Sequence, residues 1–352
     1  MAHIAIVGAG VMGSALAWPL SDNGHTISLV GTHLDREIID EAVSRGHHPK
    51  LNRKLPPRVS PFQIEDIRSA VSEADLIVSG VNSWGVDWVG DTLSDALDGG
   101  RDIIAVTKGL RSDPAGEVEI LPDVVASHFP TELRRQCNFM AIGGPCIAGE
   151  LAARRQSCVV FAGSDRDVAE RTAELFRTGY YHVWSSADLR GVELSVAIKN
   201  AYVLGVGIAN GMLEAAGGVD NAGAAMHNPA AATFSQGLYE MAQLLSALNG
   251  TPGHAHSLPG AGDQYVTAMG GRTLRLGTLI GSGRSYSEAR EILAGETLET
   301  VSIITSLSEV YPALRKGGAF RDDSLPLLET LIAAIVHDEV VSLPFDRYFA
   351  SL

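Results

Sequence analysis

The 352-residue chain is short of cysteine, aromatic residues and positive charge. Its three cysteines, Cys137, Cys146 and Cys158, have no zinc-type spacing, and an odd number fits a reduced chain better than a secreted disulfide scaffold. Lysine and arginine number 27 against 41 acidic residues, a formal net charge of −14. That balance argues against nucleic-acid partners and against adhesion to an anionic membrane. A small anionic substrate remains compatible with it, because a few local cations outweigh diffuse distant charge. The longest apolar run, residues 200–213, is bounded by Lys199 and Glu214 and is too short to span a bilayer. Strand-like sequence begins at His3, so we expect no signal peptide, no stable membrane insertion and a cytoplasmic chain. The histidines, among them His227, His254 and His256, show no ligand spacing, and no metal is expected.

What is present is an ordinary globular balance, 45% hydrophobic and 19% charged. Domains usually run to about 100–200 residues, so this length accommodates two cores. Disordered and collagen-like chains are excluded by the same composition. In the first half, β-rich runs at 3–7, 26–30, 76–81, 103–107, 139–142 and 158–162 alternate with helical patterns such as 11–22 and 167–177. These runs do not alternate apolar with polar residues, as expected for strands buried on both faces of a helix-flanked parallel sheet. After a strand at 181–184 only helical patterns follow. One starts near Leu189 with Ser186 or Asp188 as cap, and others cover 229–248, 287–294, 297–310 and 325–337. Stretches 249–262 and 269–284, rich in Gly, His, Ser and Pro, read as loops. The expected fold is α/β, an N-terminal Rossmann-like doubly wound sheet over 1–187 followed by an all-helical C-terminal domain over 188–352.

The strongest local motif is Gly8-Ala9-Gly10-Val11-Met12-Gly13, between the first strand and the first helix. In a dinucleotide site the first glycine permits the turn and the second lets a pyrophosphate approach the backbone. The third lets helix and strand pack closely, and the helix N-terminus faces the phosphate. A plain glycine turn in another α/β fold is the alternative. NAD-selective sites place an acid at the end of the second strand, but Gly31 stands there and Asp35 comes later. Thr32, His33 and Arg36 are candidates to accommodate a 2′-phosphate, although Arg36 equally reads as a solvated helix residue. The expected cofactor is therefore NAD or NADP. Lys199 lies in a run of Ala, Val, Leu, Ile and Gly where an unpaired lysine would be costly. Lys108 follows the C-terminal end of a buried-looking strand, where α/β sites collect.

Four further segments share a pattern: Val106-Thr107-Lys108-Gly109-Leu110, Gly143-Gly144-Pro145-Cys146-Ile147-Ala148-Gly149-Glu150, residues 191–200 ending Ala197-Ile198-Lys199-Asn200, and residues 260–272 with Asp263, Thr267, Gly271 and Arg272. With the glycine motif, in order from residue 3 to Glu296, they closely resemble the NAD(P)-dependent glycerol-3-phosphate dehydrogenase family. That resemblance implies hydride transfer between the dinucleotide and the ketone of dihydroxyacetone phosphate, giving sn-glycerol 3-phosphate reversibly. It implies Lys199 as general acid/base, with Lys108 and Asp263 as further catalytic residues. Lys108, Gly144, Cys146, Asn200, Thr267, Gly271, Arg272 and Thr273 would meet the substrate. Gly8, Gly10, Val11, Met12, Gly13, Thr32, Ala148, Arg272 and Glu296 would meet the cofactor. A homodimer is implied as well. The residue types suit the chemistry: developing alkoxide needs a proton donor within hydrogen-bond reach, and a planar guanidinium grips phosphate by two parallel bonds.

Several positions depart from the family. Thr273 replaces the Asn usual after the phosphate-gripping arginine, and Cys146 replaces a serine or threonine. Asn82 stands where a proline is usual, Thr297 replaces a glycine, and the loop over 217–229 is altered. These departures lie near substrate, so a sister dehydrogenase for another phosphorylated polyol or a hydroxy acid is one alternative. A non-catalytic dinucleotide-binding sensor is the other, though a mere binder has no need of a proton donor.

Overall fold

The computed structural model describes residues 1–113, 116–219, 222, 227–320 and 324–350. The chain divides into two compact units, Met1–Lys108 with Ile120–Leu189, and Gly109–Glu119 with Arg190–Leu352. In place of a single cut at 187, the excursion 109–119 belongs with the helical unit. There its strand Leu110–Ser112 packs against the helix Glu299–Lys316, and Ser112 hydrogen-bonds Glu309.

Unit 1 is built on an eight-stranded sheet. Its strands are β1 (His3–Val7), β2 (Thr26–Val30), β3 (Val59–Phe62), β4 (Leu76–Ser79), β5 (Asp102–Ala105), β6 (Asn138–Gly143), β7 (Ser157–Gly163) and β8 (Tyr181–Ser186). Their order is β8-β7-β6-β5-β4-β1-β2-β3. Pairing is parallel throughout except between β6 and β7. Residues 144–156 carry only the five-residue helix Ala148–Ala152, and the chain reverses there without a full crossover. Successive residues of β1 serve opposite cores: Ile4 and Ile6 pack with Leu16, Trp18 and Leu20, whereas Ala5 and Val7 pack with Val89, Leu93 and Val124. Both faces are apolar, which is why no polar alternation marks the strand.

β3 carried no strand signal because of Pro61. It lies at the sheet edge, where a missing N–H is tolerated. Arg58 and Phe62 instead offer carbonyls to the N–H groups of Ile27 and Gly31, both at 2.9 Å. The first helical stretch is broken at Leu16 into Val11–Ala15 and Ala17–Asp22. Pro19 has no N–H for the carbonyl of Ala15, and its ring crowds that carbonyl.

Unit 2 is organised around the 27-residue helix Leu189–Ala215. By length and composition this helix could cross a membrane, but its most apolar window is wholly buried inside the protein, so it is a core helix. It is longer than the apolar run at 200–213 because Glu193, Ser195 and Lys199 are also buried within it. The stretch 269–284, expected as a loop, holds the helix Arg272–Gly281. Its glycines serve packing rather than turning. A Cβ on Gly207 would lie 2.5 Å from the Leu274 carbonyl oxygen and 2.9 Å from Gly277 Cα, and one on Gly281 would overlap the Ile208 carbonyl. The two helices therefore touch backbone to backbone. Likewise 249–262 is not plain loop but two short helical turns, Pro252–His256 and Leu258–Gly262. Of the altered loop at 217–229, residues 220, 221 and 223–226 lie outside the described residues.

Glu240, fully buried on the helix His227–Ala247, ties three helices together. It accepts from the N–H groups of Leu327 (2.7 Å) and Leu328 (2.8 Å) at the start of the helix Pro326–Val336, from Gln236 Nε2 (2.7 Å) and from the Tyr202 hydroxyl (3.1 Å). Burial pushes its carboxyl up from 4.5 to about 7, while the four donors oppose that rise.

Because the folded carboxyl holds its proton to higher pH than the unfolded one, Glu240 should lower stability as pH rises from 4.5 to about 7. The drop corresponds to about 3 kcal/mol. Urea unfolding across that range should show this slope in the wild type, and the slope should be missing in Glu240→Gln. At fixed pH, Gly281→Ala should cost about 1–3 kcal/mol or more by wedging the helix pair apart. Gly270→Ala, whose Cβ meets nothing within 4 Å, should be near neutral in the same unfolding experiment.

Candidate active site

In unit 1 the glycine loop leaves β1 and is locked against β4. A Cβ on Gly8 would sit 2.8 Å from the Gly80 carbonyl carbon, and one on Gly13 would sit 2.7 Å from the Gly8 oxygen. A Cβ on Gly80 would in turn lie 2.8 Å from that same oxygen. Gly80, directly after β4, is thus part of the loop's machinery, and sequence reasoning missed it. Only its place after a buried strand could have pointed to it. Gly10 differs from these, since its Cβ would meet just the Gly80 oxygen at 3.7 Å. No protein atom requires glycine there, whereas a pyrophosphate lying on the backbone would. The residues present therefore fit a dinucleotide.

The loop is held from both sides of one residue. Asp35 Oδ2 accepts from the Ala9 N–H (3.1 Å), the Thr32 N–H (3.0 Å) and the Thr32 hydroxyl (2.8 Å). On the other side the Ala9 carbonyl bonds His48 Nε2 at 3.0 Å, and His48 Nδ1 accepts from the Leu51 N–H at 3.1 Å. Those two partners make His48 a neutral imidazole with its proton on Nε2. Burial pushes its pKa down, in keeping with that state. Thr32 is therefore a buried anchor of the loop.

The other unit 1 candidates stand on the same rim, at the carboxyl ends of the strands. Met12, Val106, Cys146 and Ala148 pack against one core, and the helix Ala148–Ala152 packs beside Val11–Ala15. Val11 is exposed and Gly144 is buried just past β6. The Thr107 hydroxyl donates to the Val81 carbonyl at 2.7 Å, tying the loop after β5 to the loop after β4 and fixing the half-buried Lys108 beside it. Asn82, the replacement for proline, accepts from the N–H groups of Trp84 (3.1 Å) and Gly85 (3.2 Å). It caps the turn leading into the helix Val86–Ala96, which accounts for the departure structurally.

In unit 2, Lys199 lies mid-helix and is only 3% exposed. Its Nζ donates to Asp263 Oδ1 (3.3 Å) and to Thr267 Oγ1 (2.5 Å). Thr267 Oγ1 in turn donates to the Asp263 carbonyl at 2.7 Å. Both partners come from the helix Asp263–Ala268, four residues apart and hence on one face. Asn200 is anchored through its carbonyl, which accepts from the Thr300 hydroxyl at 2.9 Å. Arg272 and Thr273 open the helix Arg272–Gly281 with Gly271 as its N-cap, and the glycine contacts fasten that helix to the one bearing Lys199. Arg272 is exposed. Glu296 pairs with Arg275 at 2.7 Å. The structure thus gathers Lys199, Asp263 and Thr267 into one bonded group and places Gly271, Arg272 and Thr273 on a helix packed to it.

Both halves of the chain resemble known proteins. The sequence pattern of the NAD-dependent glycerol-3-phosphate dehydrogenase N-terminus matches residues 3–169, and that of its C-terminus matches residues 188–342. An NADP(+)-dependent glycerol-3-phosphate dehydrogenase of Archaeoglobus fulgidus is 34% identical over 310 residues, covering 88% of each chain. A glycerol-3-phosphate dehydrogenase [NAD(P)+] of Lysinibacillus sphaericus is 30% identical over 318 residues, again covering 88% of each. The solved glycerol-3-phosphate dehydrogenase of Coxiella burnetii superposes with a TM-score of 0.76 at 24% identity, covering 99% of this chain and 98% of that one. The chain belongs to the NAD-dependent glycerol-3-phosphate dehydrogenase family, a family of NAD(P)-dependent oxidoreductases.

Proposed function

We propose that the chain interconverts dihydroxyacetone phosphate and sn-glycerol 3-phosphate, with Lys199 donating the proton on reduction and accepting it on oxidation. The observation that carries this reading is the buried Lys199 ammonium, oriented by Asp263 and Thr267. NAD(P)H, when bound, supplies the hydride to the ketone carbon. The carbonyl oxygen then takes a proton from Lys199 Nζ, so that one hydride and one proton convert ketone to alcohol. An ammonium has three N–H donors, and fixing two of them sets its direction. Arg272, at a helix N-terminus, holds the phosphate through its guanidinium fork and the adjoining helix dipole. The family resemblance assigns Lys108, Gly144, Cys146, Asn200, Gly271 and Thr273 to the substrate and Gly8, Gly10, Val11, Met12, Gly13, Ala148 and Glu296 to the cofactor, with Thr32 acting through the loop it anchors.

A second reading, a sister dehydrogenase for another phosphorylated polyol, is favoured by Cys146 and Thr273. A thiol is a weak donor and a hydroxyl a short one, so the donors at these two positions differ from the family's. A cytoplasmic homodimer completes the proposal, supported by the reduced cysteines and the family resemblance.

Oxidation of NADH and NADPH should be followed with dihydroxyacetone phosphate beside a panel of keto-sugar phosphates and 2-keto acids. Fast turnover of dihydroxyacetone phosphate is expected, and a faster alternative would give the second reading. Lys199→Ala should lower kcat by about 10²–10⁴-fold while leaving cofactor affinity within about tenfold. Turnover close to wild type would remove Lys199 from the mechanism. Thr267→Val, which takes one acceptor from a buried ammonium, should lower kcat by about tenfold or more and cost about 1–3 kcal/mol in urea unfolding.

A further inference from the structure

The end of β2 is where a dinucleotide-binding sheet reads the adenosine ribose, and an acid there bonds the free 2′- and 3′-hydroxyls. This chain has no side chain at Gly31, and a Cβ there would stand 2.6 Å from Ile39 Cγ1, so the helix behind it leaves no room for an acid. The next carboxylate, Asp35, is buried and turned inward, with Oδ2 taken up by the Ala9 N–H and both donors of Thr32. It positions the glycine loop and does not face outward. His33 leans edge-on against Trp88 with ring centroids 5.7 Å apart. The first lysine or arginine after β2 is Arg36, which opens the helix Arg36–Arg45 and whose side chain is 55% exposed. Its guanidinium pairs with Glu65, from the turn Ile64–Asp66 after β3.

An exposed arginine–carboxylate pair is weak in water, whereas a phosphate monoester brings close to two negative charges and geometry suited to the guanidinium fork. We propose that this β2 end selects the 2′-phosphorylated dinucleotide, with Arg36 as the residue that grips the 2′-phosphate and Glu65 as the competing carboxylate that limits how strongly it does so. The inference rests on the dinucleotide reading of unit 1 and goes beyond it by choosing NADP(H) over NAD(H) and assigning the choice to one ion pair.

Binding of adenosine 2′,5′-bisphosphate and of 5′-AMP, measured by calorimetry on the full chain, tests the proposal without turnover. Wild type should bind the bisphosphate at least about tenfold more tightly, since a charge-assisted guanidinium–phosphate bond is stronger than a neutral one. Arg36→Gln should bring the ratio close to one with 5′-AMP affinity unchanged, and Glu65→Gln should raise the ratio. Dissociation constants for NADPH and NADH should move in the same directions. Asp35→Asn should weaken both nucleotides alike, as expected of a group that holds the loop. Equal binding of the two nucleotides by wild type, or a ratio unmoved by Arg36→Gln, would overturn the proposal. So would an Asp35→Asn variant that loses only 5′-AMP, because Asp35 would then be the ribose ligand. Failure of both nucleotides to bind would overturn the dinucleotide reading itself, and the proposal with it.

Discussion

A lysine charge buried in the middle of an apolar helix is the constraint around which the helical unit is arranged. Taking an ammonium out of water costs several kcal/mol even after relaxation, and it is tolerated only where its hydrogen bonds are met. Lys199 meets this condition through Asp263 and Thr267, one turn apart on a short helix that follows the wide helical turn Leu258–Gly262. Removing either partner would leave charge in a dry place, so the group is adopted as a unit or not at all. The neighbouring helix Arg272–Gly281 is drawn in by glycines rather than by side chains. Backbone contact of that kind leaves little freedom for sliding, and it fixes where Arg272 and Thr273 begin.

Glu240 resembles Lys199 in cost but differs in use. It too is a buried ionisable group, and it is satisfied by two backbone N–H groups, an amide and a phenol. Tyr202, one of its donors, lies three residues beyond Lys199 on the same helix. The core therefore holds the helix that carries Lys199 at two polar points, Lys199 bonded to Asp263 and Thr267 and Tyr202 linked through Glu240 to the start of the helix Pro326–Val336. Hydrophobic burial alone is non-directional; these bonds fix the rotation and height of the helix.

In the sheet unit the corresponding economy lies in a single residue, Ala9. Its N–H goes to Asp35 and its carbonyl to His48, from opposite sides, while Gly8 and Gly13 close onto Gly80. The glycine loop is thus rigid before any ligand arrives, which lowers the ordering cost of binding. An acid near the end of β2 would ordinarily be read as a ribose ligand. Here the same residue type has been turned to supporting the loop, and its sequence position alone does not distinguish the two uses.

Much of this was legible in the residues. Seven strands of the sheet, the glycine loop and the long helix with its lysine follow from local propensity and from apolar runs, since a strand buried on both faces has one composition whatever its partners. The motif segments placed the chain in one family, and the pattern matches over residues 3–169 and 188–342 agree. Other features depended on contacts between residues far apart in sequence. Pro61 hid an edge strand, and Gly277 and Gly281 disguised a helix as a loop because glycine marks both a turn and a close crossing. The inward Asp35, the buried Glu240 and the attachment of residues 109–119 to the helical unit had no sequence signal, and Gly80 had only its place after a buried strand. The sequence by itself determined which segments form helices and strands and which residue types are available for chemistry, because propensity, periodicity and charge are local properties. Only the tertiary structure decided which carboxylate supports a loop, which pairs with an ammonium and which glycine meets a backbone, because a polar group's role depends on the partner that reaches it.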